Sequence, residues 1–257
     1  ESNQLIETHA PVVSSNTYIS GVWREETRSI ITQNDYDAFG NIKTVIRDAG
    51  GLNQTVHFTH DANNRVLQTI YPDIAINHAS QTASIERQDI RQTLTETQAY
   101  NAFGEVIEHR DRAGTARFFF YNAIGQQTHA VDGVGAVTGY EYDAFGNLSR
   151  KTRFATRIDG CSIDALTPNT QDRHDDYVYD KDHHLIEQRQ DDVLTYNPRT
   201  RAYTLLPPTQ RMTYTTFGEP ATQSIRLSET DWATTTYVYN ADGKMRAQLD
   251  AADYLTT

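Results

Sequence analysis

The sequence predicts an all-β fold, an antiparallel meander of β-hairpins. One observation is a heptad, YDAFGNL at residues 142–148, which recurs along the chain with its Tyr, Asp or Asn, and Gly at fixed positions. Another is a second turn, with Asp first and Gly fourth, between successive heptads. A third is the pair of aromatic residues at alternate positions before several turns, since residues two apart share one face of a strand.

The heptad has five clear copies and three degraded ones. Tyr100, Tyr121 and Tyr142 are spaced 21 residues apart, and a fixed period in this range indicates a repeat architecture. A catalytic motif is needed once in a chain, whereas a structural device is needed at every repeat. The repeats begin near residues 36, 60, 100, 121, 142, 179, 214 and 239.

The residues after each Tyr have the composition of a type I turn followed by a β-bulge, which we call the tyrosine turn. Asp143 can accept hydrogen bonds from the backbone of its own turn, and Gly146 takes the left-handed conformation without steric cost. The turn between two tyrosine turns has the same chemistry, and we call it the intervening turn. The predicted turn residues are Asp37, Gly40, Gly104, Gly125, Asp143, Gly146 and Gly243 in tyrosine turns, and Asp111, Gly114, Asp132 and Gly135 in intervening turns.

The spacing of these turns predicts the strands. A four-residue turn, a six-residue strand, another four-residue turn and a seven-residue strand account for the 21-residue period. The segment 48–51, DAGG, fits the intervening pattern as well. The whole chain, 1–257, is therefore predicted to be one repeat sheet, without a helix of consequence.

The aromatic residues before the turns are predicted to pack on one face of this sheet. Rings on neighbouring strands of one face contact each other and stabilise the pairing by roughly 0.2–1 kcal/mol per pair. The predicted packing residues are Tyr36, Tyr100, Tyr121, Tyr140, Tyr142, Tyr177, Tyr179, Tyr237 and Tyr239.

Three intervals are longer than the period, and two of them contain turn signals. Residues 153–176 and 191–208 contain Asp-Gly, Asn-Pro and Pro-Pro pairs, which predict a loop or an extended hairpin. Residues 81–98 have a helix-like composition but many Thr and Ile residues. We expect long paired strands there.

Composition limits the classes of partner. The 257 residues carry a net charge of −11 and have a mean hydropathy of −0.66, with 15 Tyr, 9 Phe and one cysteine, Cys161. The negative charge disfavours nucleic acid and anionic membranes, which need clustered Lys and Arg. No apolar run is long enough to span a bilayer as a helix. The aromatic content disfavours disorder.

No catalytic residue, metal ligand or cofactor is predicted. The densest group of metal-capable side chains is His174, Asp175, Asp176, Asp182, His183 and His184. Adjacent histidines on a strand point to opposite faces, so a solvated turn is favoured over a zinc site. Cys161 has no neighbouring base in the sequence that would activate it. An enzyme is therefore the least favoured class.

The chain resembles a segment of an Rhs/YD-repeat protein. The resemblance depends on YDAFGN at 36–41 and 142–147 and on the looser copies. This family includes bacterial Rhs polymorphic toxins, the B and C components of insecticidal toxin complexes, and the animal teneurins. The resemblance implies a β-sheet that spirals into a hollow shell, of which this chain forms an arc.

The resemblance also implies a function. In the toxins the shell encloses a toxic C-terminal domain, and the expected partners are the rest of the shell and this payload. The expected location is secreted or at the cell surface. The sequence contains no Asp-Pro dipeptide, so the self-cleaving segment of the bacterial shells is expected to be absent and the chain to be a fragment. The alternative is a repeat module that binds a carbohydrate or a cell-surface receptor, as the adhesion relatives suggest.

Overall fold

The computed structural model describes residues 4–19, 22–77, 89–164, 166–197, 201–252 and 254–256. Within these residues the chain forms 24 β-strands, and no α-helix is present. All strand pairs are antiparallel. The predicted all-β meander is confirmed. The chain divides into two compact units, residues 1–118 and 119–257.

The first unit contains a sheet of consecutive antiparallel strands. The strand order is β1-β4-β5-β6-β7-β10-β11-β12, and the unit boundary falls inside β12. The strands that begin in this unit are β1 (Glu7–His9), β2 (Val13–Ile19), β3 (Val22–Arg28), β4 (Ile31–Tyr36), β5 (Ile42–Arg47), β6 (Gln54–His60), β7 (Val66–Ile70), β8 (Ile74–Asn77), β9 (Asp89–Gln92), β10 (Thr95–Tyr100), β11 (Val106–Arg110) and β12 (Ala116–Tyr121).

The second unit continues the same hairpin pattern. The order of the paired strands is β13-β14-β15-β16-β17-β20-β21-β22-β23-β24. These strands and the inserted pair are β13 (Gln127–Val131), β14 (Ala136–Tyr142), β15 (Leu148–Arg157), β16 (Arg173–Tyr179), β17 (Leu185–Gln190), β18 (Val193–Asn197), β19 (Ala202–Leu206), β20 (Thr209–Tyr214), β21 (Pro220–Arg226), β22 (Trp232–Tyr239), β23 (Met245–Leu249) and β24 (Leu255–Thr256).

Three two-stranded hairpins interrupt the meander. The pairs β2–β3, β8–β9 and β18–β19 each form a sheet of their own, and the strands on either side of each insertion pair directly with one another. The last two insertions explain two of the long intervals in the sequence. Residues 78–88, which include part of the predicted strand segment 81–98, lie outside the described residues.

The third long interval is an extended hairpin closed by a long loop. The strands β15 and β16 pair from Arg150 to Arg153, and the connection between them runs from residue 158 to residue 172. Asp172 is buried at the end of this loop. Its carboxylate accepts backbone hydrogen bonds from Ala155 and Asn169, both of 2.8 Å. These bonds lower the pKa of Asp172, that from Ala155 most strongly.

The sheet buries few side chains completely. Among the described residues, the buried hydrophobic side chains are those of Val131, Val137 and Leu206. Many other apolar side chains are half-buried on the sheet surface. A single twisted layer has this burial pattern because each strand packs mainly on its two neighbours. None of the described residues forms a helix long and apolar enough to cross a membrane.

Candidate functional site

The repeated turn is the most regular feature of the molecule, and Asp143 shows its geometry. The Asp143 side chain accepts hydrogen bonds through Oδ1 from the backbone amides of Phe145 and Asn147, each 2.9 Å long. The Gly146 amide donates to the Asp143 carbonyl at 3.1 Å. Gly146 has a φ of 88°, which a residue with a Cβ adopts only with strain. The turn therefore satisfies its own backbone through a single carboxylate.

The same two side-chain bonds recur at both classes of turn. In every case the first residue accepts from the amides two and four residues later, at distances of 2.8–3.2 Å. In one copy the acceptor is a threonine hydroxyl instead of a carbonyl or carboxylate oxygen. The other first residues with this geometry are Asp37, Asp61, Asn101, Asp111, Asn122, Asp132, Asp180, Thr215, Asn240 and Asp250.

The fourth residue of these turns has a positive φ wherever it lies among the described residues. Asn64 and His183 take the place of glycine in two tyrosine turns, with φ of 63° and 65°. The predicted turn glycines have φ values of 88° at Gly40, 94° at Gly104, 80° at Gly114, 83° at Gly125, 79° at Gly135 and 72° at Gly243.

The segment 48–51 differs from the intervening turns with which the sequence groups it. Asp48 itself has a φ of 56°, and both Gly51 and Asn53 donate backbone hydrogen bonds to its carbonyl. Asn53 also has a positive φ, 48°. The assignment was therefore wrong here: the connection is a longer loop, from residue 48 to residue 53, in which Asp48 is buried.

The fifth residue of the tyrosine turn complements the first, a pairing that the sequence interpretation missed. Where the first residue is Asp, the fifth is a donor: the Asn147 amide donates to Asp143 Oδ2 at 2.9 Å, and Arg65 Nε donates to Asp61 at 2.7 Å. The fifth residue accepts from the first in the pairs Asn101–Glu105, Asn122–Gln126 and Thr215–Glu219. The turn at Asn240 is an exception, because its fifth residue is Lys244.

These bonds set the electrostatics of the turns. The pKa of Asp143 is lowered, first by the Asn147 side-chain amide and then by the backbone amides. The pKa of Asp37 is lowered in the same way by Asn41, and that of Asp61 by Arg65. A carboxylate that accepts three hydrogen bonds favours its ionised form. These aspartates are consequently structural anions and not proton carriers.

The predicted packing tyrosines are half-buried, and alternate residues between them are exposed. Tyr177 and Tyr179 flank Val178, which is 48% exposed, and the same holds for Tyr237 and Tyr239 on either side of Val238. Half-burial is also found for Tyr36, Tyr100, Tyr121, Tyr140 and Tyr142. Desolvation raises the pKa of Tyr142, Tyr177 and Tyr179.

The tyrosine hydroxyls also bind the neighbouring strand. Tyr142 OH donates to the carbonyl of Gln127 at 2.9 Å, which is the sixth residue of the preceding tyrosine turn. Tyr100 OH donates to Val66 O at 3.0 Å, again a sixth residue. The equivalent bonds of Tyr36 to Leu5 O and of Tyr214 to Leu185 O are 2.8 and 2.9 Å long. We call this contact the tyrosine latch, because in these four copies it links the tyrosine to the neighbouring strand.

The histidines and aspartates that are close in the sequence at 174–184 do not all converge on one site, and several of them have separate partners. His183 Nδ1 lies 3.0 Å from Asn147 Oδ1, and His174 Nδ1 lies 3.3 Å from Asp191 Oδ1. Asp175 is buried and pairs with Arg153 at 2.5 Å. Cys161 is exposed.

Asp180, Asp182 and His184 place one potential metal-ligand atom each within 4.8 Å of one another. His184 Nδ1 lies 3.1 Å from Asp180 Oδ2, which is the contact that Asn147 makes with Asp143 in its own turn. The turn therefore accounts for this arrangement without a metal.

A different feature of the tyrosine turn is not explained by its geometry. The third residue is apolar in five copies and almost completely exposed. Its role in the turn is to donate a backbone amide, which Asn63, Asp182 and Asp242 do equally well. The exposed fractions are 83% for Phe39, 85% for Phe103, 79% for Ile124, 80% for Phe145 and 89% for Phe217. We call these the tip residues.

Open cavities lie on the sheets of both units, and the two described here are the more spacious of those found among the described residues. The cavity in the second unit has a volume of about 760 Å³ and lies between the tyrosine turns at 180–184 and 215–219, with Tyr214 and Phe217 in its wall. The ring of Tyr214 stacks on His184 with centroids 4.5 Å apart. The cavity in the first unit has a volume of about 600 Å³ and lies beside the β8–β9 hairpin.

Comparison with known proteins identifies the repeat. Residues 121–158 match the family model described as RHS Repeat, and this segment contains the tyrosine turns at Asn122 and Asp143. No curated protein sequence matches the chain significantly. Several solved structures are similar to it.

One of them is a crystal structure of TcdB2-TccC3-Cdc42, with a TM-score of 0.56 and 14% identity over 92% of this chain. Another is a structure of the Photorhabdus luminescens Tc holotoxin pore, with a TM-score of 0.48 and 14% identity over 95% of this chain. This chain spans 12% and 14% of the length of those chains, respectively. At this identity the first similarity shows a shared fold. The family match is limited to residues 121–158, which contain an RHS repeat.

Proposed function

We propose that this chain is a wall segment of an Rhs-type toxin shell that encloses a toxic payload, and that it has no catalytic activity of its own. The observation that carries the proposal is the use of the repeated side chains. The first residue of each turn binds the turn backbone, the fifth residue binds the first in most tyrosine turns, and the tyrosine hydroxyl binds the neighbouring strand.

The fold supports the same role. The similar chain in the TcdB2-TccC3-Cdc42 structure is about eight times longer than the part that this chain covers. A single layer of hairpins with few buried side chains is suited to a wall, since it separates two spaces with little protein mass. The partners of such a wall are the other repeats of the shell and the polypeptide inside it.

The proposal is tested with the protein in its native reading frame. Limited proteolysis followed by mass spectrometry should show a protected segment beyond the repeats, and Tyr142→Ala, which removes a latch, should expose it. The matched control is Tyr203→Ala, on an inserted hairpin. If the protease rapidly digests all segments of the wild-type protein outside the repeats, the repeats do not enclose a payload.

Catalysis is tested separately. Purified protein is incubated with peptide, glycoside and phosphoester substrates, and we expect no turnover. Turnover that disappears in a variant such as His184→Ala or Cys161→Ala would refute the wall role.

The tip residues favour a second candidate, a module that binds a carbohydrate or a cell-surface receptor. Four exposed phenylalanine rings at equivalent positions are aromatic surfaces on which a sugar or a partner side chain can stack. The test is binding to a glycan array by wild-type protein and by Phe103→Ser and Phe145→Ser. Val134→Ser changes an apolar side chain on an intervening turn that is 65% exposed, and it serves as the control.

A further inference from the structure

The cavity beside the β8–β9 hairpin has the composition of a ligand site. It is formed entirely within the first unit, by residues 52–55, 71–74, 91, 94 and 112. Its volume of about 600 Å³ lies in the range of small-molecule sites in proteins. None of these residues belongs to a tyrosine turn. Arg112 is the second residue of the intervening turn at 111–114, a position at which the turn makes no side-chain hydrogen bond to its own backbone.

Arg112 is held in this wall in a fixed orientation. Its guanidinium lies 3.6 Å from the centroid of the Tyr71 ring, and its Nε lies 3.4 Å from Glu96 Oε1. The Tyr71 hydroxyl donates to the other oxygen of the same carboxylate at 2.5 Å. Glu96 and Tyr71 therefore orient the Arg112 guanidinium, and its side chain remains 51% exposed and accessible to a ligand. A pre-oriented guanidinium is well suited to an anion.

Arg91 provides a second cation. It lies on β9, is exposed, and has no hydrogen-bond or ion-pair partner among the described residues. In a chain with a net charge of −11, most arginines near a carboxylate are paired, as Arg150 and Arg153 are. An unpaired arginine in a cavity wall therefore favours an anionic ligand.

The rest of the lining favours a ligand that also carries hydroxyl groups. Asp73 accepts a hydrogen bond from the Thr93 hydroxyl at 2.5 Å through Oδ1, and its Oδ2 has no hydrogen-bond partner among the described residues. A compact inorganic anion would be repelled by this carboxylate, whereas a sugar hydroxyl donates to it. Gln54 and Thr55 add polar groups, and the side chains of Leu52 and Ile74, 73% and 44% exposed, add apolar contacts.

We propose that this cavity binds an acidic saccharide, a sugar that carries a carboxylate or sulfate group. Arg91 and Arg112 bind the anionic group, Asp73 accepts hydroxyl hydrogen bonds, and Leu52 and Ile74 contact the C–H face of the ring. This site is independent of the wall role, and it lies on different residues from the tip residues of the second candidate function.

The experiment is calorimetric titration, with saturation-transfer NMR for weak binding, of the whole chain. The probes are 3′-sialyllactose, 3′-sulfolactose and lactose, which separate a carboxylated sugar, a sulfated sugar and the neutral core. We expect both acidic probes to bind at least about tenfold more tightly than lactose, since charge-assisted hydrogen bonds have this magnitude. The ratio of the two acidic probes then shows which anion the site prefers.

Variants assign the binding to this cavity. Arg91→Gln and Arg112→Gln should each weaken binding of the acidic probes about tenfold, whereas Arg246→Gln, an exposed arginine on β23 of the second unit, should leave it unchanged. Arg112→Gln also removes a stacking contact. Arg91→Gln loses no such contact, so it is the decisive variant. Its thermal unfolding is measured as well, to show that the variant is folded.

Three results would overturn the proposal. One is equal binding of lactose and the acidic probes, and another is an equal loss in Arg246→Gln and Arg91→Gln. The third is the absence of binding of either acidic probe at about 10 mM, which corresponds to negligible affinity.

Discussion

Two kinds of hairpin in the second unit use tyrosine differently. In the repeat hairpin β14–β15, Tyr142 is half-buried and its hydroxyl binds the carbonyl of Gln127 on the neighbouring strand. In the inserted hairpin β18–β19, Tyr196 and Tyr203 are cross-strand partners with rings 5.1 Å apart, and they are 48% and 66% exposed. Neither of their hydroxyls has a hydrogen-bond partner among the described residues.

The difference shows what the repeat adds to a hairpin. An isolated two-stranded hairpin is marginally stable in water, and in the β18–β19 pair the cross-strand partners Leu194 and Leu205 are both 65% exposed. The repeat hairpin β14–β15 has cross-strand contacts plus a turn closed by its own side chain and a latch to the preceding strand. The repeated residues therefore encode the connection between neighbours, which is the property that a continuous wall requires.

The largest expected effect comes from removing a repeat tyrosine. Tyr142→Ala loses the packed ring and the latch, and we expect a loss of about 2–3 kcal/mol in the free energy of unfolding, below the range for fully buried aromatic residues because the ring is half-buried. Tyr203→Ala should cost less than about 1 kcal/mol. Urea denaturation of both variants measures the difference, and equal costs would contradict the comparison.

The next effect is in the turn. Gly146→Val places a β-branched residue at a φ of 88°, and we expect a loss of about 1–2 kcal/mol in unfolding free energy from left-handed strain. The control is Ala144→Val in the same turn, because Ala144 is exposed and does not have a positive φ. If both variants unfold at the same urea concentration, strain at the fourth position is not what selects glycine.

The pairing of the first and fifth turn residues predicts a compensated double substitution. Asp143→Asn places a donor amide against the Asn147 amide, so we expect destabilisation. Adding Asn147→Glu recreates the pair seen at Asn101 and Glu105 and should restore most of the lost stability. A double-mutant cycle from thermal unfolding measures this coupling. Additive losses would show that the two side chains act independently.

This pair also predicts a dependence on pH. The pKa of Asp143 is lowered in the folded chain by its hydrogen bonds, so its contribution to stability is complete above the unfolded value of about 3.9 and is lost as the pH falls through the folded pKa. The Asp143→Asn, Asn147→Glu variant lacks this aspartate. The loss of unfolding free energy that Asp143 causes on acidification should therefore be absent from its acid unfolding curve.

The sequence predicted those features that depend on local chemistry. Turn positions and the alternation of tyrosines follow from the spacing of Asp, Gly and Tyr, which act within a few residues of one another. Strand lengths do not follow as closely: six and seven residues were predicted, whereas β13 has five and β15 has ten. The complementarity of residues one and five was also present in the sequence, in pairs such as Asp143 with Asn147 and Asn101 with Glu105. This complementarity could have been found by comparing the first and fifth residues of all turn copies as pairs.

The remaining features depend on contacts between distant residues. The latch joins residues 15 positions apart at Tyr142 and 34 apart at Tyr100, and no local pattern marks a backbone carbonyl as an acceptor. The β18–β19 insertion carries turn signals, but these do not show that the flanking strands β17 and β20 pair with one another. The cavity at Arg91 and Arg112 brings together segments that are far apart in the sequence.

The central claim is that the repeated tyrosine joins neighbouring hairpins through its hydroxyl as well as its ring. Tyr142→Phe keeps the ring and removes the bond to the Gln127 carbonyl, and the direct measurement is its unfolding free energy in urea beside that of Tyr203→Phe. We expect a loss of about 1 kcal/mol for Tyr142→Phe, the usual contribution of one hydrogen bond, and no measurable change for Tyr203→Phe. Equal stability of Tyr142→Phe and the wild-type chain would contradict the claim.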